Sequence, residues 1–141
     1  MDLAECRRKG YIKKTRPNPE LAKSLKEMSG IKENVVKETV LDENNISAFV
    51  PMAYDSLREV LEAVCIMNSY KVISHICIEK LLETIYPWLR WHDFDRFRYI
   101  RNSINYYGKK IEITQGKAII KNMFSLKKDI LAVLDNLLLD C

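Results

Sequence analysis

The chain has 141 residues, the size of one domain whose core can form without disulfide or metal staples. Four glycines and four prolines, against 48% hydrophobic and 30% charged residues, exclude collagen-like, low-complexity, disulfide-scaffold and turn-rich all-β classes and leave an ordinary helical protein. The net charge of +4 is unevenly spread: residues 1–40 carry +4, 41–95 carry −5, 96–128 carry +8 and 129–141 carry −3. The +8 segment is either a field that draws phosphate or a polyanion, or a solvated lysine-rich helix face.

No secretory leader opens the chain, and no run of about 18 uncharged apolar residues crosses it, so a cytoplasmic protein with no membrane partner is expected. Cys6, Cys65, Cys77 and Cys141 form no C-x-x-C pair and read as reduced thiols, Cys65 and Cys77 serving as small core hydrophobes. With two isolated histidines, neither a metal site nor a cofactor is expected. Phosphate loops, H-E-x-x-H, G-x-S-x-G and the aromatic interleaving of RNA-recognition sheets are all missing from the sequence.

Apolar spacing is helical almost everywhere and never sustains a period of two. A short first helix over about 2–9 ends at Gly10. Pro17 and Pro19 bracket a loop, Asn18 is the N-cap of a second helix with Pro19 in its first turn, and Leu21, Leu25, Met28, Ile31 and Val35 mark its apolar side to about Leu41, with a bend at Gly30. A third helix carries Phe49, Ala53, Leu57, Val60, Leu61, Val64 and Met67, with Pro51 near its start.

Asn68 and Ser69 connect it to a fourth, antiparallel helix bearing Val72, Ile73, Ile76, Cys77, Leu81 and Ile85, stopped by Pro87. An aromatic turn over Trp88–His92 leads to Asp93 as N-cap of a fifth helix, closed by a left-handed Gly108. Thr114 caps a last helix with Ile119, Met123, Leu126, Ile130, Val133 and Leu137 at threes and fours. The sum is an all-α antiparallel up-and-down bundle of four long helices plus a short N-terminal helix. It is a single domain over 1–141, with 1–17 as extension and 18–141 as bundle.

Chemistry gathers on the fifth helix. At about 100° per residue, Phe97, Ile100, Ile104 and Tyr107 make its buried arc, while Arg98, Arg101, Asn102 and Asn105 line one edge with two guanidinium forks and two amides that suit phosphate oxygens or bases. Such a cluster can equally stabilise a bundle or pair subunits, but two mid-helix asparagines are poor helix formers that something other than propensity must want. His75 reads as a hydrogen-bonded structural histidine. His92 lies nine residues before Arg101, about 13 Å along a helix, too far to share a phosphate in one chain. Glu59 and Glu62 read as a solvated pair on the third helix.

The run Ile100-Arg101-Asn102-Ser103-Ile104-Asn105-Tyr106-Tyr107-Gly108, ahead of a long amphipathic helix, resembles archaeal members of the HEPN superfamily, the higher-eukaryote and prokaryote nucleotide-binding domains. The stretch Ala53–Leu82, with Ser74-His75, is similar to that group's two central helices. The resemblance implies a bundle of four or five helices, usually a homodimer, whose motif is arginine, a polar residue and, a few positions on, histidine. Active members cut RNA without metal, the ribose 2′-hydroxyl attacking the adjacent phosphate.

Arg101 then matches the arginine that stabilises charge on the phosphate, and Asn102 the polar residue after it. Where the histidine is due, Tyr106 and Tyr107 stand. A phenol near pKa 10 is only about a thousandth ionised at neutral pH, a poor proton shuttle beside an imidazole. The resemblance therefore implies first a degenerate, non-catalytic dimer that binds a nucleotide or RNA phosphate through Arg98, Arg101, Asn102, Asn105, Lys109 and Lys110, or pairs with a nucleotidyltransferase. The alternative is a metal-independent endoribonuclease of toxin or defence type, with Arg101, Asn102, Tyr106 and Tyr107 as catalytic candidates, and the third is a purely structural bundle.

Overall fold

The structure, a computed structural model, describes residues 1–141. It is predominantly helical, 73% of the chain, with the order α1 (Leu3–Arg8), β1 (Ile12–Lys14), α2 (Pro19–Glu38), α3 (Ile46–Met67), β2 (Tyr70–Val72), α4 (His75–Ile85), α5 (Trp91–Tyr107) and α6 (Ile113–Leu139). No helix is long and apolar enough to cross a membrane.

The centre is α3. Thirteen of its 22 residues are buried, as expected of a helix that is apolar on nearly every side and has neighbours all round. It packs most extensively on α2 and α6, and also meets α4, α5 and β2. Polar side chains tie these contacts together. Ser29 Oγ of α2 donates to the Ser56 carbonyl of α3 at 2.5 Å. Lys127 of α6, only 2% exposed, donates to the Ser29 carbonyl at 3.1 Å and pairs with Glu33 at 3.0 Å.

Local chemistry fixes several boundaries as expected. Asn18 Oδ1 accepts from Leu21 N at 3.0 Å with Pro19 in the first turn, and Gly108 closes α5 at φ +64°. Elsewhere the caps differ. Glu112, not Thr114, caps α6, its carboxylate accepting from the Thr114 and Gln115 amides, and these bonds hold its pKa below the ordinary value. Arg90 occupies the N-cap position of α5, leaving Asp93 inside the first turn, where a carboxylate still favours the helix dipole. At Gly30, α2 runs through unbroken.

Three corrections bear on function. First, Tyr70–Val72 is a strand, not the start of a helix: it pairs antiparallel with β1, Ile12 opposite Val72 and Lys14 opposite Tyr70, after a left-handed Ser69. A partner 58 residues away decides this conformation, which no local period reports. Second, part of the apolar side of α2 faces outward, although Leu25 packs against the core. Ala22, Ser29 and Val36 are buried, while Leu21, Met28, Ile31 and Val35 are 41–50% exposed. Third, Cys6 and Cys77 are not free thiols but a disulfide joining α1 to α4; both are fully buried and adjoining. Cys65 is a free buried thiol whose pKa burial raises, and Cys141 is free and exposed.

Residues 1–17 are thus attached to the body by the disulfide, by the ribbon and by the buried Ile12. The Glu59 carboxylate is not solvated: it is buried and paired with Lys32 at 2.5 Å. Tyr107 is 76% exposed rather than part of the buried arc, because α5 ends there and passes the edge of the core.

Candidate functional site

Ending β2 at Val72 moves the start of α4 to His75, and the chain there turns toward the flank of α5. Between them lies an open cleft of about 520 Å³. His75, Arg98, Arg101, Asn102 and Tyr106 line one side, with Met1 and Tyr11 of the N-terminal segment opposite. Ser74, the N-cap of α4, makes no side-chain capping bond and lines the same cleft with His75 and Ile76.

Behind the cleft residues Arg101 and His75 lies Tyr54 of α3, wholly buried. Phe94 stacks on its ring at 5.8 Å, the His75 ring sits 5.7 Å away, and the Arg101 guanidinium lies 5.5 Å over it. Tyr54 Oη and His75 Nδ1 are 3.3 Å apart, one hydrogen bond whichever tautomer the imidazole adopts. Burial pushes the Tyr54 phenol up and keeps it protonated. Burial, then the charges of Arg58, Arg101 and Arg98, push His75 down to about 4, so the imidazole is neutral at pH 7.

The three arginines are held differently. Arg58 pairs with Glu62 and sits 3.9 Å from Asp55. Arg98 pairs with Asp95. Arg101 has no carboxylate partner: its Nη1 donates to Asn102 Oδ1 and to Tyr106 Oη, each at 3.2 Å, and its guanidinium lies 5.5 Å over the Tyr106 ring. All three Nε groups are buried without an acceptor. One turn beyond His75, Glu79 is 5% exposed with Oε2 unpartnered. Burial, then the neighbouring Asp95, raises it to about 7.

Of the residues expected from the sequence, the structure brings Arg98, Arg101, Asn102 and Tyr106 together at the cleft. Asn105, Tyr107, Lys109 and Lys110 lie exposed outside it. His75 is hydrogen-bonded, as expected, to Tyr54; its place in the cleft with Ser74, and the part of Tyr54, were not expected. The usable signal was Tyr70-Lys71-Val72, a β-branched and aromatic triplet after a turn, which would have started the helix at Ser74-His75. No three histidine, cysteine or carboxylate side chains are grouped to hold a metal ion.

No family model, no curated protein and no solved structure matches the chain. The cleft brings a guanidinium with no carboxylate partner and a neutral imidazole to one surface.

Proposed function

We propose that the chain binds the phosphate of a nucleotide or of RNA in the cleft between α4 and α5, as a degenerate HEPN-like antiparallel bundle that works as a homodimer. The single observation that carries the phosphate reading is Arg101, which lines the cleft and whose charge no carboxylate balances. A phosphate can accept from such a fork through two oxygens at once, a charge-assisted pair stronger than neutral hydrogen bonds. Asn102, Ser74 and the first amides of α4 offer it further donors.

Pairing is supported by the outward apolar side of α2. Leu21, Met28, Ile31 and Val35 form one stripe on the protein's surface, and Leu21 shares a shallow groove with Ile73, itself a residue of the phosphate cleft. A second copy covering the stripe would bring two clefts close together. A nucleotidyltransferase partner belongs to the same proposal. We place the protein in the cytoplasm; a buried disulfide fits there in cells such as hyperthermophilic archaea, whose cytosolic proteins keep them.

Metal-independent RNA cleavage is the second reading, and His75 is the observation that favours it. Tyr106 or Tyr107 makes a poor base, but a neutral imidazole shares the cleft with Arg101. The test is calorimetric titration of AMP and of a 12-nucleotide RNA into wild type and Arg101→Ala, with RNA incubated in EDTA alongside. Binding lost in the variant without cleavage supports the first reading. Cleavage lost in both Arg101→Ala and His75→Gln supports the second. Unaltered binding in Arg101→Ala overturns both.

A further inference from the structure

The outward face of α5 is the most aromatic surface of the molecule. Tyr99, Tyr106 and Tyr107 are 68%, 69% and 76% exposed. Tyr99 and Tyr106 are seven residues apart, two helical turns, so they stand almost in line at about 10 Å separation along the axis. Tyr107 flanks the lower end. Ser103 sits between them with its hydroxyl turned back to the Tyr99 carbonyl at 3.0 Å, which keeps the intervening surface low. Large exposed aromatics on the solvent side of a helix do nothing for the core, and tyrosine is a neutral helix former at best.

Their surroundings point to a ligand. Arg96, Lys109 and Lys110 are exposed and belong to no ion pair, so uncommitted positive charge lies at both ends of the row. Tyr106 links the row to the cleft, because its hydroxyl accepts from Arg101 and its ring faces the same guanidinium. A row of π-faces joined to a phosphate site and bordered by cations is the arrangement that binds single-stranded nucleic acid, since every base has a face to stack while the backbone follows the charges. Stacked nucleotides rise about 3.4 Å each, so the row spans about three of them.

We propose that the α5 face of Tyr99, Tyr106 and Tyr107 stacks the bases of single-stranded RNA whose phosphate sits at Arg101. Within the phosphate reading on which it rests, this names the ligand as a strand rather than a mononucleotide and makes base faces, not base edges, the feature recognised. Duplex RNA, whose bases are already stacked on one another, gains nothing from the tyrosines.

The experiment measures fluorescence anisotropy of a labelled 12-nucleotide uridine RNA, the same length of abasic sugar-phosphate, and a 12-base-pair RNA duplex. The proteins are wild type, Tyr99→Ala, Tyr99→Phe, Tyr107→Ala and Arg101→Ala. Tyr99 and Tyr107 are chosen because neither hydrogen-bonds Arg101 and both are exposed, so their loss leaves the fold intact. The expected result is that wild type prefers the single strand to both other probes. Tyr99→Ala should weaken the single strand by about fivefold to a hundredfold and leave the abasic strand unchanged, Tyr99→Phe should stay within about twofold of wild type because the ring is kept, and Arg101→Ala should weaken all three.

If Tyr99→Ala and Tyr107→Ala bind the uridine strand like wild type while Arg101→Ala does not, stacking is overturned and the phosphate site stands. If wild type binds none of the probes, and AMP does not bind either, both are overturned. Tyrosine variants that change the sedimentation of the protein but not its RNA affinity would make the row a protein contact and likewise overturn the proposal.

Discussion

His75 and Glu79 lie one turn apart on α4 and respond to acid in opposite directions, which makes the site measurable through stability before any ligand is known. His75 titrates near 6.5 when unfolded but near 4 in the fold, so as pH falls below 6.5 the unfolded chain takes up the proton first and stability is lost. Glu79 titrates near 4.5 when unfolded but near 7 in the fold, so the native state takes up its proton first. Its contribution is present at low pH and lost as pH rises from 4.5 to 7. Between pH 7.5 and 5 each effect has a ceiling of about 2 kcal/mol at about 1.4 kcal/mol per tenfold change, and solvent in the open cleft reduces this to about 1 kcal/mol.

Wild type should therefore show a nearly flat denaturation midpoint in urea over that window. His75→Gln, which keeps an acceptor for Tyr54, should become more stable on acidification by about 1 kcal/mol, the Glu79 effect alone. Glu79→Gln should become less stable by a similar amount. The window stops at pH 5 because Glu33, whose two lysine partners hold it below its ordinary value, begins to lose its own contribution below that. Parallel midpoint-against-pH curves for all three proteins would refute the placement of both groups.

Other consequences can be checked in the same preparation. RNA affinity should fall steeply with salt, and Arg101→Ala should reduce the slope of log affinity against log salt by about 0.7, one phosphate contact on a single strand; an unchanged slope would remove Arg101 from the interface. Ile31→Glu, on the outward stripe of α2, should leave the midpoint within about 0.5 kcal/mol of wild type but convert a sedimenting dimer to monomer. Gly116→Ala should cost about 1–3 kcal/mol, because a Cβ there runs into the Ile46 side chain, and a stabilised variant would show that Ile46 has room to move. Replacing Cys6 and Cys77 by serine opens a loop of 71 residues' separation and should cost about 4 kcal/mol, read as a lower midpoint in urea; equal midpoints would argue that the bridge does not form in solution.

Helix spacing made most of the architecture legible in advance, because burial follows the 3.6-residue period wherever a helix has one buried side. It failed where the deciding contact was distant or outside the chain. Tyr70–Val72 follows β1, not its own neighbours. On α2 the apolar stripe obeys helical spacing, yet the helix packs largely through Ala22, Ser29 and Val36, with Leu25 partly buried, and leaves Leu21, Met28, Ile31 and Val35 outside. The candidate site divides in the same way. Arg98, Arg101, Asn102 and Tyr106 share one helix and were readable together, whereas Tyr54 and His75 come from α3 and α4 and meet them only through tertiary packing.

The fold compensates Lys127 and Arg101 in contrasting ways. Lys127 is as deeply placed as any charge in the protein, and the fold supplies it with a carboxylate and a carbonyl, the full compensation a structural charge requires. On α3, α4 and α5 the same chain leaves three guanidinium Nε groups and one carboxylate oxygen without partners, at a cost of about 1–3 kcal/mol each for a buried polar group. Of these four groups only Arg98 and Arg101 line the cleft, and of the three arginines only Arg101 has no carboxylate beside it. Under the proposed phosphate reading, an anion in the cleft gives Arg101 the counter-charge that no carboxylate of the chain supplies, and the gain it brings is the binding energy. The structural reading makes the opposite demand: saturating phosphate should leave the midpoint of wild type where it was, while the receptor reading requires it to rise, and to rise less in Arg101→Ala.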